Sequence, residues 1–288
     1  MTAAGTDVFV DPTVDDLFAK RGYYETPLLD EGQIADLVTL HDRLVPSVSS
    51  GFEASVLSDS GEFRERVSDG IRELVEAPLS ELLPHHKLVL AVFVTKPANS
   101  RGGTLPLHQD WWIVDNRACR GLHVWCPLVD VDSSNGCLKV VPGVHRLLNE
   151  PYPINGKYRT GYHASLSRLE TEYARHVPQP RGSALVYDQR MLHGSDENAS
   201  PAVRIAFNCI MIPKNVQPSI YWWDEETPST MQRFQVPERY LCHFRFGNAI
   251  EKPYPPGVEL IESFEARVNP LRETDFLALS AHDGAVTG

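Results

Sequence analysis

A chain of 288 residues, 42% apolar and 9% aromatic, is long enough for one large globular domain with a sizeable core. Its net charge of −11 comes without any cluster of lysine or arginine. Nucleic acid and anionic membrane surfaces are therefore not expected partners, because both require a basic footprint.

Residues 11–45 read as helical. Pro12 to Gly22 carries Val14, Leu17 and Phe18, and a second helix after an Asp30 cap carries Ile34, Leu37, Val38, His41 and Leu44 at 3–4 spacing. Asp59-Ser60 caps a third helix through Phe63, Val67, Ile71, Leu74 and Val75, with Pro78 as its stop. Strand patterns begin at 88–94 and recur near 121–131, 138–141, 183–188 and 203–212. Short strands with Gly, Pro and Asn turns, and helices gathered ahead of them, predict a mainly β fold. The expected architecture is a double-stranded β-helix, of jelly-roll or cupin-like type, buttressed by N-terminal helices. With no repeat or linker, residues 1–288 are expected to be a single domain with its core at about 86–212. The polar stretch 145–182 and the irregular stretch 214–257 are long connections of the kind that act as lids; the second is a candidate lid or substrate-binding insertion.

Five cysteines (Cys119, Cys126, Cys137, Cys209, Cys242) are widely spaced and form no disulfide framework or zinc motif. The N-terminus has neither a basic start nor an apolar stretch for export, and no run approaches the length of a membrane span. The expected compartment is the reducing cytoplasm, and the expected assembly a monomer or homodimer.

The chemistry concentrates in His108-Gln109-Asp110, followed by His193 and Arg204. Two imidazoles and one carboxylate fill one face of an octahedral ion and suit non-haem Fe(II), leaving the other face for a co-substrate and O₂. A chance His-x-Asp is expected on the order of once in a chain of this size, so the context matters. Here the tripeptide lies between Pro106-Leu107 and Trp111-Trp112-Ile113, within an apolar, strand-like run. Ser183-Ala184-Leu185-Val186-Tyr187 reads as a buried strand delivering His193 just before the turn-like cluster Gly194-Ser195-Asp196-Glu197-Asn198. The alternation of Val203-Arg204-Ile205-Ala206-Phe207-Asn208 puts Arg204 on the small-residue face of a strand, where a guanidinium calls for a buried anion. The far carboxylate of a keto-diacid such as 2-oxoglutarate meets that requirement.

These segments resemble the phytanoyl-CoA dioxygenase-like family of Fe(II)/2-oxoglutarate oxygenases. The resemblance is carried by Pro106 to Trp111, Val124-Trp125-Cys126-Pro127-Leu128-Val129-Asp130, Asn135 to Arg146, and Gly182 through His193-Gly194-Ser195 to Arg204. It covers roughly residues 15–212, and four ordered motifs in series are far more specific than one. It implies that His108, Asp110 and His193 ligate iron and that Arg204 anchors the distal 2-oxoglutarate carboxylate. Ser195 would bond the same group and Trp125 would line the co-substrate pocket. Val144 stands where the family often has serine, and His145 is read as structural. Lys96 is at most a secondary contact.

The resemblance further implies that a small molecule is oxidised at an unactivated C–H bond while 2-oxoglutarate becomes succinate and CO₂. Halogenases of this superfamily carry a small residue in place of the carboxylate, so Asp110 favours hydroxylation, or a variant such as desaturation or ring formation. A cupin-like metal-dependent hydrolase or isomerase is the alternative, and a non-catalytic binding relative the third reading; neither gives Arg204 and Ser195 a diacid to hold. Trp111, Trp112, Trp222 and Trp223 are candidate substrate contacts. His123, which shares the parity of Trp125, should point with it towards the barrel interior. Acidic composition and tryptophan-rich segments suggest a neutral or aromatic substrate, in specialised metabolism.

Overall fold

The computed structural model describes residues 7–46, 51–155, 158–244, 250 and 254–283. Helices α1 (Pro12–Arg21) and α2 (Glu31–Leu44) are each started by an aspartate. Asp11 accepts from the Thr13 amide, and Asp30 and Gln33 form a reciprocal capping box. Gly22, in left-handed backbone at φ 82°, ends α1, and the next five residues form strand β1 (Tyr23–Pro27) where the sequence pattern predicts helix. The segment Tyr-Tyr-Glu-Thr-Pro has no alternation to read, and its extended form is imposed by antiparallel pairing with residues 183–187. Helix α3 (Gly61–Leu82), capped by Ser60, runs through Pro78 instead of stopping there. Proline removes one helical hydrogen bond, but Val75, Leu79 and Leu83 are buried and hold the last turn on the core.

The remaining strands are β2 (Glu53–Ala54), β3 (His86–Lys96), β4 (Leu105–His108), β5 (Leu122–Pro127), β6 (Leu138–Val140), β7 (Arg175–Val177), β8 (Ser183–Asp188), β9 (His193–Ser195), β10 (Arg204–Pro213), β11 (Ser219–Trp223), β12 (Thr230–Gln235) and β13 (Glu259–Glu265). They form a six-stranded sheet ordered β1-β8-β5-β10-β3-β2, a four-stranded sheet β4-β9-β6-β7 and a three-stranded sheet β11-β12-β13. The two larger sheets share one apolar core, in the arrangement of a double-stranded β-helix.

Side-chain alternation decides what enters that core. On β10, Ala206 and Ile210 lie in it, whereas Ile205, Phe207, Cys209 and Met211 join Phe18, Leu37, Val67 and Ile71 of the helices in a second core outside the main sheet. On β5, Trp125 faces the first core and Val124 and Cys126 the second. The helices thus buttress one sheet and leave the inward face of β5 and β10 free of them.

The stretch 214–257 is less irregular than expected: it contains β11 and β12, whose partner β13 completes a sheet. Residues 245–249 and 251–253 of that stretch lie outside the described residues. All five cysteines are free. No described helix is long and apolar enough to cross a membrane.

Candidate active site

Strand β9 is laid between β4 and β6, with His193 opposite both His108 and Val140. Gly194 and Ser195, the start of the turn-like cluster 194–198, therefore belong with His193 to a short strand. The pairing sets the His108 and His193 rings side by side, with centroids 4.3 Å apart. Asp110, two residues past the end of β4, turns its carboxylate to both: Oδ1 is 3.6 Å from His108 Nε2, and Oδ2 is 3.6 Å from His193 Nε2. The ligand atoms of these three residues all lie within 4.8 Å of one another, as a metal centre requires.

Backbone carbonyls orient the imidazoles. His108 Nδ1 donates to Pro106 O at 2.9 Å and His193 Nδ1 donates to Met191 O at 3.2 Å. A carbonyl only accepts, so in the neutral rings each Nε2 carries a lone pair directed at the common point, the form in which histidine ligates a metal. Burial, reinforced by the neighbouring His108 ring, pushes His193 down to about 3 and keeps it neutral. Burial alone would raise the Asp110 carboxyl, but the imidazoles of His123, His193 and His108 outweigh it and hold the group well below the usual carboxylate range.

A cavity of about 260 Å³ opens from this cluster into the barrel. Trp125, Ser195 and Arg204 line it. Arg204 is 1% exposed; its Nη1 donates to Val94 O at 3.2 Å, while Nε, and the Ser195 hydroxyl nearby, have no hydrogen-bond partner. The Arg204 guanidinium lies 5.7 Å from the Trp125 ring centre, and no carboxylate among the described residues pairs with it. Burial draws Arg204 down to about 10, so it remains a cation at neutral pH. Lys96, opposite it on β3, is spent elsewhere: its ammonium donates to the Ser195 and Asp196 carbonyls and it does not line the cavity.

The tryptophans divide. Trp111 lines the cavity beside Asp110. Trp112 is fully buried in a separate cluster with Tyr158, Tyr221 and Met231, because the chain after Asp110 sends its two indoles to opposite sides. Trp222 and Trp223 are half-buried on β11 and line no part of the cavity; the Trp223 indole donates to Pro228 O at 3.0 Å. His145, whose Nε2 bonds Ala19 O at 3.2 Å, is structural. His123 does line the cavity with Trp125, stacked on Tyr187 with ring centroids 5.0 Å apart and planes 11° apart.

Phe52, just before β2, with Ala54 of β2 and Val56 and Leu57 of the turn after it, supplies much of the apolar wall, and Tyr187 and Asn208 also line the cavity. Nothing in the sequence marks 52–57, since a two-residue strand carries no pattern. Asn208 could have been found, as it shares the face of Arg204.

A double-stranded β-helix enclosing two histidines and one carboxylate defines a class of proteins built to hold a metal ion with an open coordination face. Residues 36–206, more than half of the chain, match the family Phytanoyl-CoA dioxygenase (PhyH), and the chain belongs to that family. A Caenorhabditis elegans relative named "Probable phytanoyl-CoA dioxygenase" is 29% identical over 150 residues, 50% of this chain and 46% of its own. The chain thus spans less than half the length of that relative. Two solved structures, the epimerase SnoN and the carbocyclase SnoK, are both named as non-heme alpha ketoglutarate dependent enzymes of nogalamycin biosynthesis. They superpose with TM-scores of 0.55 and 0.52 at 19% and 15% identity, covering 91% and 90% of this chain and 92% and 100% of theirs. At that identity they show the fold.

Proposed function

We propose that this protein is an Fe(II)- and 2-oxoglutarate-dependent dioxygenase that hydroxylates an unactivated C–H bond of a small molecule. His108, Asp110 and His193 would hold the iron. The carrying observation is Arg204: a buried cation with no carboxylate partner among the described residues, in the same cavity as an unpartnered buried hydroxyl and the metal-type cluster. Burying an unpaired charge is costly, so the site is built for a ligand that brings its own carboxylate. A keto-diacid meets both requirements, with one end at the metal and the other on Arg204 and Ser195.

When bound, iron and 2-oxoglutarate supply oxidative decarboxylation, in which O₂ delivers one oxygen atom to succinate and one to the hydroxylated product as CO₂ leaves. The chain's own part is placement and exclusion of water. Trp125 walls the co-substrate end, and Val56, Leu57, Leu90, Val92, Leu105 and Trp111 present an apolar surface to the reacting part of the substrate. That lining suits a neutral hydrocarbon or aromatic unit. SnoN and SnoK, by their names, turn similar scaffolds to epimerisation and ring closure, so substrate placement within this wall would decide the outcome. Asp110 fills the position that halogenation would need vacant.

The test is 2-oxoglutarate binding by anaerobic calorimetry to the Fe(II)-loaded protein. Arg204→Ala is expected to weaken it by about 2–5 kcal/mol, roughly thirtyfold to several thousandfold, with Fe(II) binding nearly intact. Unchanged affinity would move the keto-diacid away from Arg204 and remove the basis of the proposal.

A further inference from the structure

The cavity holds one more polar side chain that the ligand set does not use. His123, on β5, is 1% exposed, and its Nε2 has no hydrogen-bond partner. It points at the metal-type cluster, 3.4 Å from Asp110 Oδ2. Its other nitrogen, Nδ1, lies 3.0 Å from Asn208 Nδ2. An amide nitrogen only donates, so Nδ1 accepts and the neutral ring carries its proton on Nε2. The reverse amide orientation would turn a bare Nε2 lone pair onto the carboxylate oxygen, which is repulsive. Tyr187, stacked on the ring, fixes its plane.

We propose that His123 is a positioning residue: its Nε2–H holds one oxygen of Asp110, so that the carboxylate offers the metal only the other. The inference rests on the metal site proposed above and adds a role for a residue outside the ligand set. A buried N–H left unpaired is costly, and Asp110 Oδ2 is the acceptor within reach of a small rotation. Restraining the carboxylate to one bond matters because a second metal–oxygen bond would occupy a position that co-substrate and O₂ need. His123 is not itself a fourth ligand: ligation through Nε2 would require the proton on Nδ1, where Asn208 presents a donor.

Co(II), which reports its coordination through its visible absorption, is the probe. His123→Phe keeps a ring to stack on Tyr187 and removes the N–H. It is expected to weaken Co(II) binding about 10–100-fold and to shift the absorption bands, as loss of a partner to a metal ligand does. His123→Gln, which restores an N–H, should recover most of the affinity. Unaltered affinity and spectrum in His123→Phe would overturn the proposal, and so would a His123→Gln no better than His123→Phe. Should His123→Phe not fold, Asn208→Leu decides: it releases the tautomer and should weaken Co(II) binding in the same direction, and wild-type binding there would count against the role. A wild-type protein that binds no Co(II) or Fe(II) would instead remove the metal site itself.

Discussion

His108 and His193 each spend one ring nitrogen on a backbone carbonyl two residues earlier, Pro106 and Met191. That repeated local bond fixes the plane of each ring and turns Nε2 towards the cluster, which leaves little reorganisation for binding. Asp110 supplies the charge, its carboxyl lying well below the usual carboxylate range. If these three residues are the ligands, as proposed, loss of any one removes a large share of the coordination energy. His108→Ala, Asp110→Ala and His193→Ala are each expected to abolish 2-oxoglutarate-dependent succinate formation, while the wild type binds about one Fe(II) per chain when purified without oxygen. Full succinate formation by Asp110→Ala would strike that carboxylate from the ligand set.

Among the elements, β9 has the most exacting position. It is three residues long, carries His193 and Ser195, and lies between two neighbours. Gly194 is what lets β4 come close: a Cβ there would stand 2.6 Å from Leu105 O, a backbone atom that cannot swing aside. Gly194→Ala is expected to push β4 from β9, separate His108 from His193, and cost roughly 1–3 kcal/mol of stability together with metal affinity. The checks are a thermal melt and a Co(II) titration; wild-type values in both would mean that the strand spacing does not control the site. The β11-β12-β13 sheet has a different part. Tyr221 is fully buried and meets Trp112 edge-on at 6.0 Å, so this sheet packs against the segment that follows Asp110.

The whole molecule carries buried histidines remote from the metal cluster, which tie its stability to pH. Burial pushes His86 and His145 down to about 4, from an ordinary value near 6.5. Below 6.5 the unfolded chain takes up these protons while the folded one refuses them until about 4. The stabilising contribution is thus complete above 6.5 and lost progressively as pH falls through this window, by up to about 1.4 kcal/mol per pH unit for each group. The melting temperature of the metal-free protein should fall steeply across that range, and His145→Gln should flatten the slope. An unchanged slope in His145→Gln would mean that the folded protein accepts the proton at His145.

Sequence alone determined the parts of this protein that repeat a local rule. Helical periodicity placed α1, the Asp30 cap and 3–4 spacing placed α2, and the apolar runs placed β3, β5, β8 and β10. Two-residue parity put Arg204 with Asn208, and His123 with Trp125, on the faces that line the cavity. The grouping of His108, Asp110 and His193 was legible because three residue types of one chemistry stood in order within apolar surroundings. Other features were decided only by tertiary structure. Strand β1 and the continuation of α3 past Pro78 depend on partners distant in the chain, and β9 is extended because two strands pair with it. Which tryptophan meets the cavity could not be read from Trp111-Trp112, since either indole could have faced inwards. The packing of Trp112 against Tyr221, more than a hundred residues away, settled the choice. Local propensity acts over a turn or two of chain, whereas the cavity is closed by contacts whose strength appears only once the sheets have met.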